Sequence, residues 1–420
     1  QGIAGLAGGV QPPDGGHLEE LGGDGAVRWE KVDIGTLVVL RQGFAINKNT
    51  KHYISNEHTN LPLLRIADMK DETKNVFVKD TIPKRFIARP DDIIYTRTGQ
   101  VGLVFTKLFG VVHNNCFTVS PIDEKVLSRS YLYYALKNKE FFEAANLKAT
   151  GAAQPDLPHG AFNTIPIYLP PIETQHRIAD ILSAYDDLIE NNRKQIKLLE
   201  EAAQRLYKEW FVDLRFPGHE HTRIVDGVPE GWEKRCISDI ATINESNIPK
   251  NYQFNYIEYI DLSSVQNGII KEKTRYPLVE APGRAKRVAK DGDIIWGMVR
   301  PNLKSFALVL HPRETDVYST GFCVLSSKAV PFSYLYYSVT TESFIRYLVN
   351  CTNGAAYPAV KPIHFAEAEL LFPSKMLLKK FNDIVEPMLR QREKLLTMTN
   401  GAMEARDRLL PKLMSGKVEV

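Results

Sequence analysis

The sequence predicts an α+β fold: two similar globular domains separated by two long antiparallel helices paired as a coiled coil, with a pseudo-two-fold internal repeat. Three observations carry this prediction. Residues 174–211 contain neither glycine nor proline and are built largely from good helix formers. The apolar positions of that stretch recur every seven residues. Most of the chain then repeats itself about 203 positions later.

The helical stretch is bounded by Pro170-Pro171 before it and Pro217-Gly218 after it, which are start and stop signals. At 1.5 Å per residue it would run roughly 55 Å, far beyond an ordinary globular helix. One heptad row is Ile178, Tyr185, Asn192, Leu199 and Leu206; the next is Leu182, Ile189, Ile196, Ala203 and Trp210, flanked by Ile181, Leu188 and Ala202. Such a stripe requires a partner helix along its length, and a polar residue such as Asn192 within it can fix register.

The repeat supplies that partner. Trp29-Glu30-Lys31 recurs as Trp232-Glu233-Lys234, and Tyr131-Leu132-Tyr133-Tyr134 as Tyr334-Leu335-Tyr336-Tyr337. Gly151-Ala152-Ala153-Gln154-Pro155 recurs as Gly354-Ala355-Ala356-Tyr357-Pro358. In the second helix the row becomes Phe381, Met388, Leu395, Ala402 and Leu409, with Pro387 expected to kink or break it. A period this long makes each copy a whole domain plus a helix rather than a solenoid unit. The expected division is 1–28 as a disordered or artefactual lead, 29–170 as domain one and 171–216 as the first long helix. Residues 217–373 are then domain two, and 374–420 the second long helix.

Within each domain the residues read as strands followed by a helical stretch. Residues 61–69, 89–95, 101–105 and 109–119 read as strands, 130–147 as helical, 150–158 as a loop and 164–169 as a short strand. The second copy repeats this order, and the YLYY runs read as core packing rather than base-stacking platforms.

Composition narrows the class. Hydrophobic residues make up 44% and charged residues 25%, an ordinary globular balance. A formal net charge of +3 means that any polyanion binding must rest on local clusters. Cys116, Cys236, Cys323 and Cys351 are scattered without CxxC spacing, so they read as buried thiols of a reducing, cytoplasmic compartment, with no metal site. No run of 18 apolar residues is present, so no membrane span is expected.

Several motifs resemble one family. They are Thr150-Gly151-Ala152-Ala153-Gln154-Pro155-Asp156-Leu157, the run from Ile165 through Pro170-Pro171 to Gln175, Ile178-Ala179-Asp180-Ile181-Leu182, and the closing Leu409-Leu410-Pro411-Lys412-Leu413-Met414-Ser415-Gly416. Together they resemble the specificity (S) subunit of type I restriction–modification systems over essentially residues 29–420. The resemblance implies two target-recognition domains, each reading one half of a split site in double-stranded DNA, with the helices as a ruler across an unread spacer. It also implies a subunit without catalysis or cofactor of its own. Such a subunit binds two adenine methyltransferase (M) subunits, which carry S-adenosylmethionine, and through them two restriction (R) subunits.

Basic clusters mark where DNA chemistry would sit. Lys84 and Arg85 in domain one, and Arg284, Lys286 and Arg287 in domain two, can neutralise phosphates. Candidates for base edges are Arg97, Thr98 and Gln100, and Arg300, Asn302 and Lys304, at points of the repeat read as equivalent; Gln154 and Tyr357 occupy the other matched loop. A methyltransferase of its own would require a glycine-rich cofactor loop and an Asn-Pro-Pro-aromatic run, and neither occurs. The competing reading is an adaptor that dimerises partners through its coiled coil and never touches DNA.

Overall fold

The computed structural model describes residues 29–352, 358–418 and 420. The chain divides into two compact units, and the division falls inside both long helices. One unit runs to Glu190 and takes in Asn400–Val420; the other is Asn191–Thr399.

The two units share a strand order. In the first, a four-stranded antiparallel sheet runs Val38–Gln42, Cys116–Pro121, Ile93–Thr96, Val104–Phe105. In the second the order is Ala241–Ile243, Phe322–Ser327, Ile294–Gly297, Phe306–Leu308. A smaller sheet joins Leu63–Leu64, Gly110–Val112 and Ile87–Ala88, the first pair parallel and the second antiparallel. Its counterpart joins Tyr256–Ile260, Asp316–Ser319 and Ala285–Arg287 with the same pair of senses, plus Thr274–Pro277 on the outer edge. A two-stranded pair closes each module, Lys31–Asp33 on Pro166–Tyr168 and Glu233–Cys236 on Glu369–Phe372.

The YLYY runs are core, as their spacing predicts. Tyr131, Leu132 and Tyr134 are buried in the first unit, and Tyr334 through Tyr337 in the second. A buried hydroxyl needs a partner, and both modules use the same one. Tyr131 donates to the carbonyl of Tyr168 at 2.8 Å, and Tyr334 to that of Leu371.

Three sequence expectations change. Residues 61–69 are not one strand: the strand is Leu63–Leu64, with a single bridge from Pro62 to Phe77, and Ile66–Asp71 is helical. Buried Asp68 fixes that turn by accepting from Arg65, Thr73 and Asn75. Residues 130–147 form two helices, Arg129–Lys137 and Lys139–Lys148, parted at Asn138, which is extended. The repeat offset is not constant either. Ile93–Thr96 and Ile294–Gly297 lie 201 positions apart, Cys116–Pro121 and Phe322–Ser327 lie 206 apart, because the loops between them differ in length.

The helices are continuous, Ile172–Tyr207 and Lys375–Met414. The expected break at Pro387 does not occur; the loss of one backbone hydrogen bond is absorbed within a 40-residue element. The row Leu182, Ile189, Ile196, Ala203, Trp210 is buried throughout, each large member contributing about 1.5–3 kcal/mol. The companion row alternates: Ile178 and Asn192 are buried, while Tyr185, Leu199 and Leu206 are half-buried. On the second helix Phe381, Leu395 and Ala402 are buried and Met388 and Leu409 half-buried; the flanking Leu188 and Ala202 are exposed.

Side-chain contacts show the helices antiparallel inside each unit. In the first, Arg406 donates to Asp186 at 2.6 Å, and Asp186 also accepts from the Tyr134 hydroxyl at 2.9 Å. Ile178 and Leu182 share a cluster with Leu413 and Met414. In the second, Phe381 packs against Phe211 with ring centroids 5.0 Å apart. Further along, Arg392 Nε donates to Glu200 at 2.5 Å, and Nη2 to the Gly268 carbonyl at 2.9 Å.

Arg392 is buried, so removing it leaves the Gly268 carbonyl without this donor and the half-buried Glu200 carboxylate without its counter-ion. Arg392→Ala is expected to destabilise the protein by about 3 kcal/mol. Chemical denaturation monitored by tryptophan fluorescence checks this, and an unchanged midpoint would refute it.

Candidate nucleic-acid interface

The loops that leave the large sheets fold against the segments that follow the Gly-Ala-Ala motifs in sequence, residues 155–157 and 358–360, by short backbone ladders. In the first module the Leu157 amide donates to the Arg97 carbonyl at 3.0 Å, and the Gly99 amide to that of Pro155 at 2.8 Å. In the second, Val360 donates to Met298 at 2.8 Å and Arg300 to Pro358 at 2.8 Å. These ladders set the true equivalence. Met298 stands where Arg97 stands, and Arg300 stands where Gly99 stands. The pairing of Arg97 with Arg300 expected from the sequence is therefore displaced by two positions.

The consequence is chemical. Gly99 has φ +85°, and Arg300 adopts the same left-handed region at φ +49°, which is rare for a residue with a side chain. Lys304, at φ +56°, is the second such residue of the loop. Between them a single 3-10 turn, Pro301–Leu303, carries exposed Asn302. Lys304 is paired with Glu342.

Arg97 and Thr98 spend their donors inside the first module. Arg97 Nη2 and Nε donate to Asp156 at 2.6 and 3.2 Å, and Nη1 to Gln42 at 3.1 Å. Thr98 Oγ1 donates to the same carboxylate at 2.5 Å. The Arg97 guanidinium holds the Asp156 carboxyl below the usual carboxylate range, with Thr98 adding to it. These two residues are a fastener for the loop rather than open base-reading donors. Gln100 is exposed and accepts from Lys70 at 3.4 Å, and Gln154 is exposed on the matched loop. Tyr357 lies outside the described residues.

The phosphate candidates are on the small-sheet lobes. Lys84 and Arg85 are exposed on the turn Lys84–Phe86, with the Arg85 guanidinium 4.8 Å from the Phe86 ring. Arg284 and Lys286 are exposed beside the strand Ala285–Arg287, and Arg287 is half-buried. Counting back from the buried alanines that follow, Ala88 and Ala289, Lys286 is the counterpart of Arg85. The sequence reading passed over Lys48, Lys51, Lys79 and Lys250, all exposed on the same lobes. Lys48, Lys51 and Lys250 lie in polar loops outside the basic runs, which is why no local cluster signalled them.

All four cysteines are free thiols, Cys116 and Cys323 buried as expected but Cys236 and Cys351 only half-buried. Among the described residues no group of three or more His, Cys, Asp or Glu could hold a metal ion. Among the described residues no helix is long and apolar enough to cross a membrane.

Comparison with known proteins agrees with this architecture. The profile of the type I restriction modification DNA specificity domain matches residues 26–201. The specificity subunit of the type I restriction enzyme MjaIX from Methanocaldococcus jannaschii is 26% identical over 341 residues, 78% of each chain. That of MjaVIII from the same organism is 25% identical over 416 residues, 93% of each chain. The crystal structure of the type I S subunit from M. genitalium has the same fold, with a TM-score of 0.66 at 16% identity over 94% of this chain and 98% of that one. The first module and the start of the first long helix thus match the type I restriction specificity domain, and the chain as a whole is similar to type I restriction specificity subunits over most of its length.

The fastener makes a pH prediction. Because its folded pKa is lowered, Asp156 stabilises the loop above the unfolded value of about 3.9, and this is lost as pH falls through the folded value. Amide exchange at Gly99, Thr150 and Leu157 is expected to stay protected at pH 5 and to lose protection below the ordinary carboxylate range. Asp156→Asn should lose it already at pH 7; equal protection in that variant would show that the ion pair does not hold the loop.

Proposed function

We propose that this chain is the DNA-reading subunit of a type I restriction–modification complex, each module reading one half of a bipartite target. The observation that carries the reading is the repeated strand order, built on residues that match a DNA specificity domain in one copy and differ in the loops. Two copies of one scaffold with different loops can read two different half-sites, and the exposed cations supply affinity without sequence choice.

In this reading the chain performs no catalysis and holds no cofactor. Two methyltransferase subunits dock on it, each flipping an adenine near one half-site and methylating it with its own S-adenosylmethionine. Two restriction subunits join through them. The long helices set the unread spacer between the half-sites. An adaptor that never touches DNA has no observation in its favour.

Methylome sequencing of a host carrying this chain and its methyltransferase partner tests the proposal; a split, asymmetric adenine motif is expected. Exchanging residues 29–170 for the first module of another specificity subunit should alter one half of that motif only, and a change in both or neither would contradict it. Adding one four-residue turn to the first long helix should widen the spacer by about one or two base pairs. An unaltered spacer would exclude the ruler role.

A further inference from the structure

The second module carries a polar pair where the first carries aromatic packing. Two positions before the matched buried alanines, Ala88 and Ala289, the first module has Phe86 and the second has Arg287. Phe86 packs on buried Phe44, with ring centroids 5.4 Å apart. Arg287 instead donates from Nη1 to Asn247 Oδ1 at 3.2 Å. Its Nε is buried without a hydrogen-bond partner, and its other terminal donors have none among the described residues.

Asn247 is placed for this contact by backbone. Residues 246–248 lie along the strand Ala285–Arg287 as an added edge. The Ile248 amide donates to the Lys286 carbonyl at 2.9 Å, and the Val288 amide to that of Ser246 at 3.2 Å. Beside the pair stand Lys250, Arg284 and Lys286, exposed and without an ion-pair partner among the described residues. The fold does not require charge here, since the sister module fills the equivalent position, at the end of the turn Lys84–Phe86, with a ring. With Nε buried and one Nη1 hydrogen held by Asn247, Nη2 and the second Nη1 hydrogen remain as the fork that this arginine, in a field of unpaired cations, can offer to an acceptor pair on a polyanion.

We propose that Arg287, positioned by Asn247, reads a guanine in the half-target of the second module. The fork matches guanine O6 and N7, and the restraint by Asn247 keeps the guanidinium from swinging to a phosphate. Arg284, Lys286 and Lys250 hold the backbone on either side. This rests on the function proposed above and adds which residues choose a base.

The test is methylome sequencing of the complex of this chain and its methyltransferase partner, for wild type, Arg287→Lys and Asn247→Ala. Wild type should give a second half-site containing a guanine. Arg287→Lys keeps the charge but loses the fork, so one position of that half should become degenerate, with discrimination falling about tenfold or more. Asn247→Ala should relax the same position partially, whereas a merely structural role would lower modification evenly across all bases. The first half-site, read by the same molecule, reports that the variants fold. Unchanged stringency in both variants, a uniform loss over all sequences, or a second half without guanine would overturn the assignment. A wild type without any split motif would overturn the functional reading itself, and this proposal with it.

Discussion

The apolar stripe on the first long helix is the constraint from which the rest follows. Leu182, Ile189, Ile196, Ala203 and Trp210 are buried on an element too long to hide them under a small domain. The module cores cover its ends, and a second helix, which the second half of the chain provides, covers it along its length. Each unit then takes its own share of the seam. In the first, the seam is apolar with the Asp186–Arg406 pair at its side; in the second, it ends in Tyr207, Trp210, Phe211 and Phe381. The buried guanidinium of Arg392 is matched there by the half-buried Glu200 carboxylate.

On that base the modules keep what packs and vary what does not. The Tyr131 and Tyr334 hydroxyls make the same bond to the closing strand, and the two sheets keep one strand order. The loops diverge by chemistry rather than by degree. Arg97 and Asp156 tie the first loop, while their counterparts are Met298 and Ala359, with no charge to exchange. Gly99 gives way to Arg300 in the same backbone region, and Phe86 gives way to Arg287. Scaffold positions shared and rim positions reassigned are what a pair of readers with different targets requires.

Much of this was legible in the sequence because it is local or periodic. Heptad spacing marks the helices, and the tryptophan and tyrosine runs mark the repeat; both survive drift, since packing restricts them. The class of fold and the resemblance to specificity subunits followed from those features. The rim was harder to read. Its contacts join residues far apart in sequence: Arg97 lies 59 positions from Asp156, and Asn247 lies 40 from Arg287. No spacing rule reports that a given arginine is already engaged. Unequal loops also moved the register by two positions, enough to pair Arg97 with the wrong counterpart. The helix Ile66–Asp71 was missed because its turn is fixed by side-chain bonds to Asp68 rather than by an apolar period.

The central claim is that two modules of one chain read two separate patches of a duplex. It is tested most directly by equilibrium binding of the purified complex with its methyltransferase to a duplex carrying both halves of its target, and to duplexes with either half scrambled. The account predicts that scrambling either half weakens binding by at least tenfold, while the slope of affinity against salt stays nearly constant because the phosphate contacts remain. If scrambling one of the halves leaves the affinity unchanged, the two-reader account is contradicted.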